Sequence, residues 1–206
     1  MRDEETGSYW QQASGRAIGG PMKGQTLEGV HSDELSFALW KQEAPTGQVM
    51  APVAAYESKY ESNWEPEVQK FPTPFQFPGS GVQPRDLVLG IVQNGASRAY
   101  PMSSVLADKP VQDTLAGTPV LLVMGPDRKS VRAFVSRIHG QDAEFFRQQD
   151  SNDWALIDSV SGSKWSFAGC AVSGPNTGAC LTPVDILKDY WFDWKNYHPD
   201  SSVYRH

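Results

Sequence analysis

The chain offers little to a charged partner or a membrane. Its 18 basic residues are outnumbered by 24 acidic ones, giving a net charge of −6, and they form no basic run. Nucleic-acid backbones and anionic lipid surfaces reward clustered Lys and Arg, so neither is an expected partner. No apolar stretch approaches the ~20 residues that a membrane-spanning helix needs. The opening MRDEETGSYW has neither the basic n-region nor the apolar h-region of a signal peptide. Read literally, these features predict a soluble chain that is not exported.

Chemistry-bearing motifs are equally scarce. The sequence has no Gly-x-Ser-x-Gly elbow, no His-Glu-x-x-His helix and no Gly-x-Gly-x-x-Gly finger. Its four histidines, His31, His139, His198 and His206, stand at no metal-ligand spacing from one another. Two cysteines, Cys170 and Cys180, are too few for a disulfide scaffold. They read first as small buried hydrophobes, and second as partners of His198 in a soft-metal site. No cofactor is predicted.

What the chain does have is a repeat. Asp3, Gly7, Ser8 and Trp10 match Asp158, Gly162, Ser163 and Trp165 at an offset of 155, and from Gly15 to Met50 the offset is a constant 154. Those 36 positions hold 11 identities, among them Gly20, Pro21 and Gly24 against Gly174, Pro175 and Gly178, and Trp40 and Lys41 against Trp194 and Lys195. A fixed offset with that many matches marks an internal duplication, which decides how the fold is read.

In chain order, residues 3–10 predict a turn and a strand, and the glycines up to Gly24 predict tight turns. Val30, Phe37 and Trp40 then predict a helix whose apolar stripe needs an external surface. Prolines at 52, 66, 72, 74, 78 and 84 forbid long regular elements. Tyr56, Tyr60 and Trp64 predict a short helix with an aromatic face, and FPTPFQFPGSG predicts an extended linker. From Asp86 the pattern becomes β. DLVLGIVQNGASRAYP carries Asn94-Gly95 between apolar stretches and predicts a hairpin. MSSVLA predicts a helical turn, TPVLLVM a buried strand, GPDRK a turn, VRAFVSRI an alternating strand, and AEFF and WALID shorter strands. Thr182 as N-cap, Pro183 at the first position and the stripe Val184, Leu187, Tyr190, Trp191, Trp194 predict a closing amphipathic helix that Pro199 ends.

Two motifs have a functional and a structural reading. Gly19–Thr26 is one residue short of a phosphate-binding loop, but Gln25 stands where the Lys should, and the second copy shares only Gly-Pro-x-x-Gly. Without the Lys the loop loses its charge on the phosphates, so nucleotide binding is rejected. Asp3 and Asp158 stand seven residues before the shared Trp; they predict caps of a Gly-Ser turn, because nothing supplies the second carboxylate of an acid–base pair.

The runs MRDEETGSYWQQASGRAIGGPMKGQTL, DLVLGIVQNGASRAYP, TPVLLV and SGSKWSFAGCAVSGPNTG occur in this order over residues 1–50 and 86–206. Together they resemble a bacterial and archaeal family, domain of unknown function 3179. The resemblance implies no defined activity, and it implies export for a complete member. Members commonly carry Cys-Pro-Leu-Cys-Gly after the strand matched by TPVLLV, a thiol-redox or metal pair. Here those positions read Gly125-Pro126-Asp127-Arg128-Lys129, so any chemistry of that pair is lost. The phrase matching residues 1–11 lies inside the family's domain, which leads us to expect a truncated first copy; in-frame upstream DNA encoding a strand-rich region would bear on it.

The sequence therefore predicts α+β architecture, mainly antiparallel sheet with a C-terminal amphipathic helix and an internal duplication. Residues 1–50 form a partial first copy, 51–84 a Pro-rich linker, and 85–206 a complete repeat domain. The partial copy should pack on the complete one, on another chain or on a missing upstream domain. For function, a non-catalytic binding or interaction module leads, and a thiol- or metal-dependent redox protein is the alternative. A bound metal equivalent or an oxidised Cys170–Cys180 pair would overturn that preference. Ligand-site candidates are Arg98, Tyr100, Asp158, Ser163 and Trp165.

Overall fold

A computed structural model describes residues 1–61, 63–73, 75–106, 109–148 and 154–205. Pro74 of the linker, Ala107 of the helical turn and His206 lie outside the described residues. The chain forms two compact units, Met1–Asp33 and Glu34–His206.

In the first unit, strands β1 (Tyr9–Trp10) and β2 (Ala17–Gly19) pair antiparallel, and a bridge joins Arg16 to Thr26. The second unit opens with helix α1 (Phe37–Glu43), which Ser36 caps by accepting from the Leu39 amide. The predicted stripe is corrected here: Val30 and Phe37 are 85% and 66% exposed, and it is Leu39 that enters the core. The predicted aromatic helix is also corrected. A 3₁₀ turn (Ala54–Lys59) ends at an extended Tyr60 before α2 (Trp64–Lys70), and Tyr56, Tyr60 and Trp64 are all exposed.

Strands β3 (Leu87–Gln93) and β4 (Ala96–Pro101) form the predicted hairpin. Its two-residue turn needs positive φ twice, which Asn94 at 48° and Gly95 at 80° supply. A second hairpin joins β5 (Val111–Leu115) to β6 (Thr118–Met124), and β7 (Val131–Val135) follows β6 after the Gly125–Lys129 turn. Short strands β8 (Arg137–Ile138) and β9 (Gln141–Asp142) pair together. Then β10 (Phe145–Arg147), β11 (Leu156–Asp158), β12 (Lys164–Trp165) and β13 (Ala171–Ser173) make one antiparallel sheet.

The chain closes with β14 (Pro183–Val184), β15 (Leu187–Tyr190), α3 (Trp191–Tyr197) and β16 (Ser202–Val203). This corrects the helix predicted from Thr182. Val184 instead pairs with Ala133 of β7, and β15 pairs with β3, so open sheet edges capture the segment before the helix starts. Pro183 fits an edge strand, where its missing N–H is not needed.

The strands stack in layers because side chains alternate across each sheet. In the central sheet, ordered β14-β7-β6-β5, Leu121, Val123 and Phe134 face Trp165, Phe145 and Leu156 of the β10–β13 sheet. Val120, Leu122, Met124 and Ala133 face the other way, onto Leu89, Ile91 and Tyr100 of the sheet ordered β15-β3-β4-β16. That sheet turns Val88 and Ala99 toward Trp191 and Trp194 of α3. The helix thus lies as a lid on the sheet, and the fold is α+β with mostly antiparallel strands; β16, beside β4, runs parallel. No helix among the described residues is long and apolar enough to cross a membrane.

Candidate functional site

Two polar clusters contain the residues singled out from sequence, and they lie on opposite faces of the central sheet. The first is built at the end of β11. Asp158 is 2% exposed, and its Oδ1 accepts from the amides of Val160 at 2.9 Å and Ser161 at 2.5 Å. Its Oδ2 accepts from Ser161 Oγ at 2.8 Å, the Ser163 amide at 3.1 Å and Trp165 Nε1 at 2.8 Å. Ser163, fully buried, in turn accepts the Asn176 amide on its Oγ at 3.0 Å. Burial pushes the Asp158 carboxyl up, but the Trp165 indole N–H and the Ser161 donors outweigh it and hold the group below the usual carboxylate range. Five donors fill the lone-pair sites of one carboxylate, so no position is left to accept a substrate proton. Asp158, Ser163 and Trp165 are brought together, as a closed turn.

The first unit repeats this network in four of the five bonds, with the Gly7 amide in place of the one from Val160. Asp3 accepts from the Thr6, Gly7 and Ser8 amides, from Thr6 Oγ1, and from Trp10 Nε1 at 2.7 Å. Ser8 Oγ accepts the Met22 amide at 3.1 Å. The shared glycine is explained by close approach: a Cβ on Gly20 or Gly174 would sit 2.7 Å from the Ser8 or Ser163 Cα, at φ of 89° and 95°. The Trp10 donor leads in pulling the Asp3 carboxyl down.

The second cluster is on β4 and β5. Arg98 Nη1 pairs with Asp113, Arg98 Nε donates to Ser202 Oγ at 3.0 Å, and the Tyr100 hydroxyl donates to Asp113 Oδ2 at 2.8 Å. Burial first, then the bond to Asp113, pushes the Tyr100 hydroxyl up, while the bond to Asp113 raises Arg98. The group is charge-balanced and Tyr100 stays neutral, so this cluster too is internally satisfied. Asp113 was missed in the sequence because VQDTL carries no turn or motif signal.

The cysteine reading is corrected. Cys170 and Cys180 are joined in a disulfide with Cα atoms 4.0 Å apart; Cys170 is half-buried and Cys180 exposed. They are neither a hydrophobic pair nor free thiolates for a metal. His198 lies elsewhere, at the end of α3 with its ring 4.0 Å from that of Trp194, where burial lowers its pKa. Among the described residues no three His, Cys, Asp or Glu gather as metal ligands would.

These clusters sit in a sequence whose family is shown by comparison. A family model described as a protein of unknown function (DUF3179) matches residues 1–201. The chain belongs to this family. Neither a curated protein nor a solved structure matches it. In this DUF3179 chain the positions aligned by resemblance with Cys-Pro-Leu-Cys-Gly form a tight turn held by Asp127, which accepts from the Lys129 and Ser130 amides and from Ser130 Oγ. Burial pushes Asp127 up, but the Ser130 and Ser36 donors win and its pKa falls to about 2. Another buried charge was not legible at all: Arg132, 7% exposed, makes a bidentate pair with Glu43 at 2.8 and 2.7 Å and lies over Phe167.

Cavities lie on the α3 side of the DUF3179 fold. An open cleft of about 800 Å³ runs between the 76–86 loop, Ser103 and Ser104, and the C-terminal Tyr204 and Arg205. A recess of about 390 Å³ shares Ser80 and Arg205 with it and adds Trp191 and Lys195. Lys195 Nζ donates to Ser201 O at 2.9 Å and Arg205 Nη2 to Ser80 O at 3.3 Å, which leaves further donors on both cations.

One titratable group of β15, outside the cleft and the recess, responds to pH. Burial and the neighbouring Asp193 raise Asp189 from 3.8 to about 6. A carboxyl whose folded pKa exceeds its unfolded value gains a proton on folding, so its contribution favours folding at low pH and is lost as pH rises from about 4 to about 6. Asp189→Asn should flatten the urea-unfolding stability over that range and leave the variant more stable at pH 7 by about 1 kcal/mol, a value discounted for partial exposure. An unchanged slope would contradict this origin.

Proposed function

We propose that the chain is a non-catalytic binding module that takes a small acidic molecule in the cleft beside α3. The observation that carries the reading is the contrast between self-satisfied and available polar groups. Asp158 and Ser163 spend their bonds within their turn, and Arg98 and Tyr100 spend theirs on Asp113 and Ser202, whereas Lys195 and Arg205 face a shared recess with donors to spare. The buried Trp191 indole N–H, which has no hydrogen-bond partner among the described residues, supports it. Two cations and hydroxyls within an apolar rim favour a carboxylate or phosphate. We also read the chain as a duplication, with residues 1–50 and 85–206 as unequal copies joined by 51–84. The Cys170–Cys180 disulfide meets the condition under which the redox reading displaces the binding one; we keep the binding reading for the cleft alone, because the cysteines flank β13 on the other side of the central sheet from Lys195 and Arg205.

Saturation-transfer NMR against a panel of carboxylic acids, sugars and phosphates tests the cleft. At least one acidic member should give a saturable signal, and reversing both charges of the recess with Lys195→Glu and Arg205→Glu should abolish it. Signals only from neutral sugars, signals indifferent to the charge reversal, or a silent panel would count against the reading.

A further inference from the structure

The Cys170–Cys180 disulfide spans a turn that does not need it. Ala171 donates its amide to Ala179 O at 2.8 Å, Gly178 to Ala171 O at 2.9 Å, and Leu181 to Gly169 O at 2.9 Å, so backbone bonds already close the loop on both sides of the bridge. The first unit supplies the control. At the offset of 154, Arg16 and Thr26 occupy the cysteine positions, and they form the same isolated bridge as Cys170 and Cys180. Ala17 donates to Gln25 O at 2.9 Å, Gly24 to Ala17 O at 2.9 Å, and Leu27 to Gly15 O at 3.0 Å. One fold of this turn therefore exists with a disulfide and one without. A cross-link that the backbone does not require, with Cys180 exposed to solvent, is placed for exchange rather than for holding a buried core.

We propose that Cys170 and Cys180 form a reversible surface dithiol–disulfide couple that reacts with external dithiols while the protein stays folded. A thiolate of the external dithiol attacks Sγ of the exposed Cys180; the S–S bond breaks and Cys170 leaves as a thiolate, which takes up a proton. The second thiol of the reductant then attacks its own sulfur in the mixed disulfide and releases Cys180. The protein gains two electrons and two protons, and the external dithiol leaves as a disulfide. Because the turn keeps its backbone bonds, the two thiols stay adjacent after reduction and the reverse reaction needs no refolding. The couple is independent of any ligand in the cleft.

The test uses the full chain at neutral pH in buffers of graded dihydrolipoate to lipoate ratio, with thiols counted by maleimide gel shift after acid quench and the tryptophan bands of the near-UV circular dichroism read on the same samples. The reduced fraction should climb from a tenth to nine tenths over roughly a hundredfold change in the ratio of reduced to oxidised lipoate, as a two-electron couple requires. The dichroism should not change across that span. The double change Cys170→Arg with Cys180→Thr, which installs the residues of the first unit, should fold with the same spectrum and show no titration. The proposal is overturned if the bridge stays oxidised at every ratio, if the thiols stay reduced at every ratio, or if thiols appear only as the near-UV signal is lost.

Discussion

Replacing Asp158 with Ala is expected to cost about 4 kcal/mol of unfolding free energy, because five donors lose their acceptor in a buried site and each unpaired buried donor costs about 1–3 kcal/mol before relaxation or water entry. That is a large share of the roughly 5–15 kcal/mol that holds a domain together. Urea unfolding followed by tryptophan fluorescence reads it directly, since Trp165 donates to the carboxylate and packs edge-on against Phe145 at 5.8 Å. The loss should be greatest above pH 5. Asp158 is held below its ordinary value, so its stabilisation is present once the unfolded carboxyl is ionised and disappears as pH falls through the folded pKa. Asp3→Ala also removes the acceptor of five donors, in a more exposed setting, and should cost clearly less. A cost under about 1 kcal/mol for Asp158→Ala, within the range of ordinary surface changes, would contradict the structural role given to the turn.

The second large effect is expected at Gly90. A Cβ there would fall 2.1 Å from the ring of Trp194, which is 1% exposed and donates its indole N–H to Ser201 Oγ at 2.7 Å. Gly90 lies in β3, between β15 and β4, so the backbone cannot retreat without breaking ladders on both sides. Gly90→Ala should therefore displace α3 and cost about 3 kcal/mol, the upper range for overpacking. For a chain of this size that lowers Tm by about 6–12 °C. Combining it with Trp194→Leu should recover part of the loss relative to the sum of the single changes, a coupling that non-contacting sites would not show. A melting point within 2 °C of the parent would mean that the helix does not sit on the sheet at this distance.

How far the sequence revealed this can be argued residue by residue. The Asn94-Gly95 hairpin was legible because its turn type restricts both residues to positive φ. The β5–β6 turn at Ala116-Gly117, with φ of 47° and 79°, uses the same geometry but puts an alanine where sequence rules look for Asn or Asp. The repeated Asp was legible as a cap because in both copies it precedes a Gly-Ser turn with no second carboxylate to make an acid–base pair, and the carboxylates do cap their turns. The closing helix was half legible. Val184, Leu187 and Tyr190 have helical spacing, but spacing cannot report that β7 and β3 offer open edges, and those edges win. The disulfide was hidden because a ten-residue separation fixes no geometry; the Gly-Pro turn that folds the cysteines together does. The five ligand-site candidates fell into two internally bonded groups because sequence shows which polar residues recur, and not how many partners each already has.

The central claim is that the repeated Asp–Gly-Ser–Trp turn is scaffold and that binding takes place beside α3. Trp165 and Trp191 each carry an indole N–H, one bonded to Asp158 and the other without a partner among the described residues, so their resonances report the two places separately. Titrating the isotope-labelled protein with the acidic ligand found in the panel should move the Trp191 indole and the Arg205 signals and leave the Trp165 indole where it is. Movement of the Trp165 indole and the Ser163 amide, with Trp191 unmoved, would contradict the account.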